Sequence, residues 1–331
     1  MSPFILGCGS FGGVGSDRST WGSSTVDPDA LLGAALDAGV TWLDTANSYG
    51  DGASERAIGA WLARGGPRRR ESVVVCTKAG QPTGRHDAAR GRQDLLSRNE
   101  ILRSVDGSLG RLSVETIDVY LAHHLDATTS VPELCETMDL LIRQGKIRDW
   151  GLCNVPSWLV VECVHVCRVH GWRAPAVVQN GFSLLQQEDR RGFGVVTGRY
   201  GLAYTPHSPL AGGWLAGAYH RQEPGQYPAG SRMHQRPGPY AQWESSATRA
   251  AVGELVAMAR ELGTTPAALA VAWILHQPFV TAPLIGPASI AELESTVAAA
   301  EVRPDPADLS RLTEAFGGLP HTSSFTGEPR R

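Results

Sequence analysis

The chain has 331 residues, 42% of them hydrophobic and 19% charged, with a formal net charge of −3. That supplies a large core within the size of one α/β barrel, and the slight acidity excludes broad attraction to nucleic acid or anionic lipid. Six cysteines with no N-terminal apolar leader point to reduced thiols in a cytoplasmic protein, and no run approaches the roughly 20 apolar residues of a membrane span.

Eight short apolar or β-branched runs read as strands: 4–9, 40–46, 72–78, 117–123, 147–153, 177–179, 202–207 and 281–285. Helical periodicity fills the gaps near 27–38, 54–64, 97–112, 131–144, 156–169, 184–199, 246–276 and 289–300. Caps mark several starts: Asp27 before Pro28, Ser97 with Glu100, and Thr265 before Pro266. Gly39 and Gly145 mark stops. The basic run Arg68–Arg70, beside Gly65, Gly66 and Pro67, reads as a solvated loop. Gly192, Gly194 and Gly198 make the sixth helix the weakest, each glycine costing about 1 kcal/mol against alanine. The segment 211–245 reads as a long loop after the seventh strand. Cys163 and Cys167, with His165 and His170 nearby, have metal-like spacing, but the valines around them favour buried thiols. The alternation predicts a single (β/α)8 TIM barrel over 1–318, with 319–331 a mobile tail.

Barrel sites form at the C-terminal ends of the strands, and polar residues gather there. Strand two ends at Asp44 and runs on to Tyr49; strand three ends at Lys78; strand four ends at His123. Hydride delivery to a carbonyl leaves charge on oxygen, which calls for a proton donor. Tyr49 suits that task if a lysine lowers its pKa. In this reading Lys78 tunes Tyr49, Asp44 anchors Lys78, and His123 orients the carbonyl. His124 is expected to point outward by strand alternation. Trp21 and Trp214 are expected to line a substrate pocket, and Trp158 and Trp273 to pack as helix residues.

The run Leu43-Asp44-Thr45-Ala46-Asn47-Ser48-Tyr49-Gly50, then Thr77-Lys78, Ala122-His123-His124, Gly151-Leu152-Cys153-Asn154, Gln179-Asn180 and Ser208-Pro209-Leu210-Ala211-Gly212-Gly213, resembles the aldo-keto reductase family in content and order. The resemblance covers about Phe4 to Leu312 and suggests a bacterial member. It implies a nicotinamide cofactor, NADP(H) in most relatives, bound without a Rossmann glycine loop. Gly7-x-Gly9-x-x-Gly12 mimics such a loop but lacks its strand–helix context. By analogy Asn154 and Gln179 hold the carboxamide, with Asp44 and Cys153 beside them. Ser10 and Phe11 line the nicotinamide end. Ser208, Leu210 and Gly212 meet the pyrophosphate, and Gly286, Ala288, Glu292 and Thr296 the adenosine half.

Four departures stand out against the family pattern. His207 occupies the place of an aromatic that stacks on nicotinamide, so affinity is expected to be lower and pH-sensitive. Cys153 replaces a serine, removing a good donor. Ala288 supplies no cation and Glu292 opposes a 2′-phosphate, so NAD(H) enters as an alternative cofactor. No short hairpin precedes the first strand, so either the start codon is misassigned or another segment covers the barrel floor.

The function implied is reduction of an aldehyde, ketone or sugar-type carbonyl, or oxidation of the matching alcohol, with a sugar or secondary-metabolite ketone as the sharper version. The alternative is a non-catalytic or regulatory nucleotide-binding protein on the same barrel. A phosphate-binding lyase or isomerase explains Gly212-Gly213 but neither Tyr49 nor Lys78. The segment 80–91, with Arg85, His86 and Arg90, reads as a solvated loop, its alternative being a grip on an anionic substrate.

Overall fold

A computed structural model describes residues 2–13, 15–16, 25–83, 95–126 and 128–319. Eight parallel strands form one curled sheet: β1 (Ile5–Gly7), β2 (Trp42–Asp44), β3 (Val74–Ala79), β4 (Ile117–Ala122), β5 (Ile147–Cys153), β6 (Val177–Gln179), β7 (Ala203–Tyr204) and β8 (Leu284–Ile285). Their order is β7-β6-β5-β4-β3-β2-β1-β8. The ends meet through backbone bonds from Thr281 to Tyr204 and from Leu284 to Pro206, both 2.8 Å. The protein is a single (β/α)8 barrel.

Alternation sorts the strand side chains between two cores. Cys76, Val119, Leu121, Cys153 and Val177 fill the barrel interior, whereas Val75, Tyr120, Ala122, Leu152 and Val178 face the helices. Gly151 is needed inside: a β-carbon there would lie 2.1 Å from the Val177 carbonyl oxygen. The helices around the sheet are α1 (Pro28–Asp37), α2 (Ala53–Glu71), α3 (Arg98–Leu112), α4 (Val131–Arg143), α5 (Ser157–His170), α6 (Asp189–Tyr200), the one-turn α7 (Arg232–Gln235), α8 (Ser246–Glu261), α9 (Pro266–Leu275), α10 (Ile290–Val297) and α11 (Pro306–Phe316). Asp27 caps α1, accepting from the Asp29 and Ala30 N–H groups, and Thr265 caps α9.

Several sequence expectations are corrected. The run Arg68–Arg70 is helical: α2 resumes after a break at Gly66 (φ 66°). Arg69 lies over Trp61, and Arg70 holds the Val73 and Thr116 carbonyls and the Asp118 carboxylate. Ser97 makes no cap bond; Glu133 accepts from the Arg98 N–H at 3.0 Å instead. The stretch 246–276 is two helices, parted where Gly263 takes φ 66°. The glycine-bearing α6 does form, and Gly192 sits against α5, where a β-carbon would meet Ser157 Oγ at 2.6 Å. Segment 211–245 is no open loop. It holds a 3-10 turn at Ala211–Ala216, then α7 and a second turn at Ala241–Trp243, around a core of Trp214, Tyr219, Met233 and Trp243. Trp273 is buried, stacked on Phe182, but Trp158 is 63% exposed on α5. Cys163 and Cys167 are buried with Cys135. Trp21, most of 80–91, and the tail from residue 320 lie outside the described residues. Among the described residues no helix is long and apolar enough to cross a membrane.

Candidate active site

β2 and β3 deliver the central pair. Asp44 pairs in register with Cys76, and Lys78 follows two residues on, so both side chains enter the barrel. Lys78 Nζ meets Asp44 Oδ1 at 2.5 Å and donates to the Thr45 carbonyl at 2.7 Å, with the two side chains 0% and 1% exposed. The second Asp44 oxygen accepts from Gln179 Nε2 at 2.8 Å. Burial alone would push the Lys78 amine down, but Asp44, and then Tyr49, hold it above its usual value and therefore charged.

Tyr49 stands on the turn after β2, its ring centroid 5.1 Å from Lys78 Nζ and 5.7 Å from the His123 ring, edge to face. Behind this turn, Ser54 on the first turn of α2 accepts from Thr45 and donates to the Cys8 carbonyl. Buried Glu55 accepts from Thr77 at 2.6 Å and Arg111 at 2.6 Å. Burial pushes the Tyr49 phenol up to about 12, against Lys78, which pulls it down. Lys78 lowers this pKa as expected, but burial raises it by more. His123 is held well below the usual imidazole range by burial, then by Lys78, His124 and His207, and stays neutral. His124 is exposed, as expected, while its ring stacks on the buried His123 at 5.1 Å and 10° just past the end of β4.

The positions expected to hold a nicotinamide converge as well. Asn154 donates to the His123 carbonyl at 3.0 Å and accepts from His207 Nε2 at 2.9 Å. The Cys153 thiol donates to Gln179 Oε1 at 3.7 Å and receives the Asn154 amide at 3.3 Å, so it keeps a weak form of the role expected of a serine. Ser208 Oγ lies 3.0 Å from His207 Nδ1. Ser208 (φ 58°) and Ala211 (φ 45°) adopt left-handed backbone costly for residues with a β-carbon, a mark of strain held at functional loops. Gly212 (φ 67°) is closed on one side by Tyr240, whose ring a β-carbon would strike at 2.6 Å. Leu210 packs half-buried beside it.

Two positions are corrected. Phe11 is fully buried in the core between helices and sheet, so its ring lines no cofactor site. Trp214 is buried within its own segment, donating to the Tyr240 carbonyl with Arg249 over its ring, and offers nothing to a substrate.

Of the residues expected at an adenosine, Gly286, Ala288 and Glu292 are exposed and Thr296 half-buried. Ser289 caps α10. Glu292 folds back so that its carboxylate accepts from the Ala288 N–H at 2.8 Å, and Thr296 donates to the Glu292 carbonyl. The carboxylate thus takes a backbone donor that an incoming anion would otherwise use.

Sequence reasoning missed a polar group at the rim. Ser48 donates to Gln81 Oε1 at 3.0 Å and lies 2.8 Å from Ser16, which also bonds Gln81, and Gln81 bonds His124. Gln81, three residues beyond Lys78 at the end of β3, carried the one usable signal, its strand-end position.

A nicotinamide nucleotide fits these residues. Ser10 Oγ, Asn47 Oδ1 and His123 Nδ1 are buried without partners, and such groups are few in folded proteins. Asn154 and Gln179 have amide capacity beyond the bonds above.

Comparison with known proteins agrees with this geometry. Residues 4–316 match the model of the Aldo/keto reductase family. The chain is 32% identical to Uncharacterized oxidoreductase YrpG of Bacillus subtilis over 96% of its own length and 93% of that protein's. It is 28% identical to Norsolorinic acid reductase stcV of Emericella nidulans over 90% and 73% of the two chains. Its identity to Probable voltage-gated potassium channel subunit beta of Oryza sativa is 32%, over 83% and 82%.

Proposed function

The chain belongs to the aldo/keto reductase family, and on that premise we propose that it is an NAD(P)(H)-dependent oxidoreductase reducing an aldehyde, ketone or sugar-type carbonyl, with Tyr49 as proton donor. The observation that carries this reading is the buried Lys78–Asp44 pair beneath the Tyr49 ring, with neutral His123 against its edge. A structural ion pair would explain two of these four residues but not the tyrosine and histidine facing it.

A reduced nicotinamide, when bound, supplies hydride to the carbonyl carbon. The residues of the chain do the rest. Charge building on the carbonyl oxygen is met by the Tyr49 proton and by an N–H of neutral His123. Lys78 stays charged because Asp44 faces it, and its ammonium stabilises the phenolate that remains. Asp44 in turn is held by Gln179, the residue that with Asn154 would grip the carboxamide. Ser10, Ser208, Leu210 and Gly212 would line the rest of the nucleotide, and Gly286, Ala288, Glu292 and Thr296 its adenosine end. NADP(H) is the commoner partner in the family, while Glu292 on the Ala288 N–H favours NAD(H).

The test is aldehyde-dependent oxidation of NADH and NADPH by the purified protein, with an aromatic aldehyde, a ketone and an aldose as substrates. Turnover with one of them supports the reading. Tight nucleotide binding with no turnover would instead support a regulatory nucleotide-binding role, the reading favoured by the identity to the rice channel subunit.

A further inference from the structure

His207 makes two side-chain bonds that fix its own state. The Asn154 amide nitrogen donates to the His123 carbonyl, so Asn154 Oδ1 is the atom that faces His207 and can only accept. His207 Nε2 therefore carries the proton and donates at 2.9 Å. Nδ1, 3.0 Å from Ser208 Oγ, accepts from that hydroxyl. The backbone is equally constrained. The His207 N–H donates to the Asn180 carbonyl at 2.9 Å, and the His207 carbonyl accepts from Phe182 at 3.2 Å, prolonging the β6–β7 pairing beyond Tyr204. The ring is clamped from both sides and aimed at Asn154, itself on a left-handed turn at φ 55°.

A ring serving only as a stacking plate requires none of this. We propose that His207 is a positioning residue: its Nε2–H sets the orientation of the Asn154 amide, and through the bond from Asn154 to the His123 carbonyl it ties the carboxamide-binding end of the site to the histidine beside Tyr49. This rests on the nicotinamide reading above and deepens it. Without the His207 donor the Asn154 amide keeps only the bonds of its nitrogen to the His123 carbonyl and Cys153, and its oxygen loses its partner. A nucleotide must then order the amide on binding, at a cost in affinity.

Two variants separate positioning from stacking. His207→Phe keeps a flat ring and removes the donor. His207→Gln removes the ring, and its amide N–H can reach where Nε2–H stands. Kd values for NADH and NADPH are read from quenching of intrinsic tryptophan fluorescence in both variants, in Asn154→Ala and in the double variant His207→Phe/Asn154→Ala. We expect His207→Phe to weaken binding about tenfold, the scale of one lost hydrogen bond, and His207→Gln to stay within about threefold of wild type. In the Asn154→Ala background His207→Phe should change Kd by less than about twofold. Binding by His207→Phe as tight as wild type, or additive effects of the two substitutions, would overturn the role.

A second measurement needs no nucleotide. Nitrogen-15 spectra of labelled histidine, with His207 assigned from the His207→Phe variant, should show the Nε2-protonated neutral ring. An Nδ1-protonated ring would overturn the inference. Absence of nucleotide binding in the wild type would overturn the nicotinamide reading and the positioning role with it, while the tautomer would still report the bond.

Discussion

Gln179 and Asp44 lie 135 residues apart in the chain and meet across the barrel interior, where the Gln179 amide donates to Asp44 Oδ2 at 2.8 Å. The other Asp44 oxygen holds Lys78, so one buried carboxylate joins β6 to β3. That gives the pair a structural consequence separate from chemistry. Removing one member of a buried ion pair leaves an uncompensated charge and costs about 3–5 kcal/mol, whereas replacing both can be nearly neutral. Asp44→Asn and Lys78→Met should each lower unfolding free energy by that amount, and the double variant should recover most of it. Denaturant unfolding of the three proteins checks this, and additive losses would contradict it.

Glu292 carries a prediction on nucleotide choice. Its carboxylate occupies the Ala288 N–H, and Ala288 offers no cation. Two unit charges about 4 Å apart in water repel by about 1 kcal/mol, and a doubly charged phosphate by about twice that. NADH should therefore bind at least as tightly as NADPH. Glu292→Gln should tighten NADPH about tenfold while moving NADH by less than about threefold. Titration of both nucleotides against both proteins decides the matter; an unchanged NADPH Kd would remove Glu292 from nucleotide selection.

A pH dependence of stability is predicted from His207. Burial pulls its pKa down to about 4, with Lys78 and His124 adding to the effect, against about 6.5 in an unfolded chain. Between those values the unfolded chain binds more protons than the folded one, so stability rises with pH. The contribution of the neutral ring is complete above about pH 6.5 and is lost as pH falls through about 4. Buried His123 adds to the slope in the same direction. Unfolding free energy should fall from neutral pH toward pH 4, and His207→Phe should flatten the slope by up to about 1.4 kcal/mol per pH unit, one proton's share. Parallel curves for the two proteins would show that His207 does not titrate in this way.

The barrel was legible because eight apolar runs and their intervening helices each carried local signals, and the structure puts a strand at every predicted run, β3 overrunning its end by one residue. What escaped depends on contacts between distant segments. The Arg68–Arg70 turn is helical because Arg70 reaches Thr116 and Asp118, which no local pattern around Gly66-Pro67 reveals. Helix α11 was missed although Asp305, Pro306 and Asp308 spelled out a capping box. At the site, strand-end placement identified Asp44, Tyr49, Lys78 and His123, which do assemble. It misjudged Phe11 and Trp214, since an aromatic near a rim packs inward or outward according to neighbours that adjacent sequence does not name. The Tyr49 pKa was half legible: the sequence supplies the lysine that lowers it, but the burial that raises it belongs to the fold.

The most direct measurement pairs turnover with nucleotide affinity in Tyr49→Phe. The substitution removes one hydroxyl and keeps the ring against His123. If Tyr49 donates the proton, aldehyde turnover should fall about 100-fold or more, while the nucleotide Kd, read by tryptophan quenching, stays within about threefold of wild type. Turnover by Tyr49→Phe within about fivefold of wild type, with nucleotide binding intact, would contradict it and place the proton donor elsewhere.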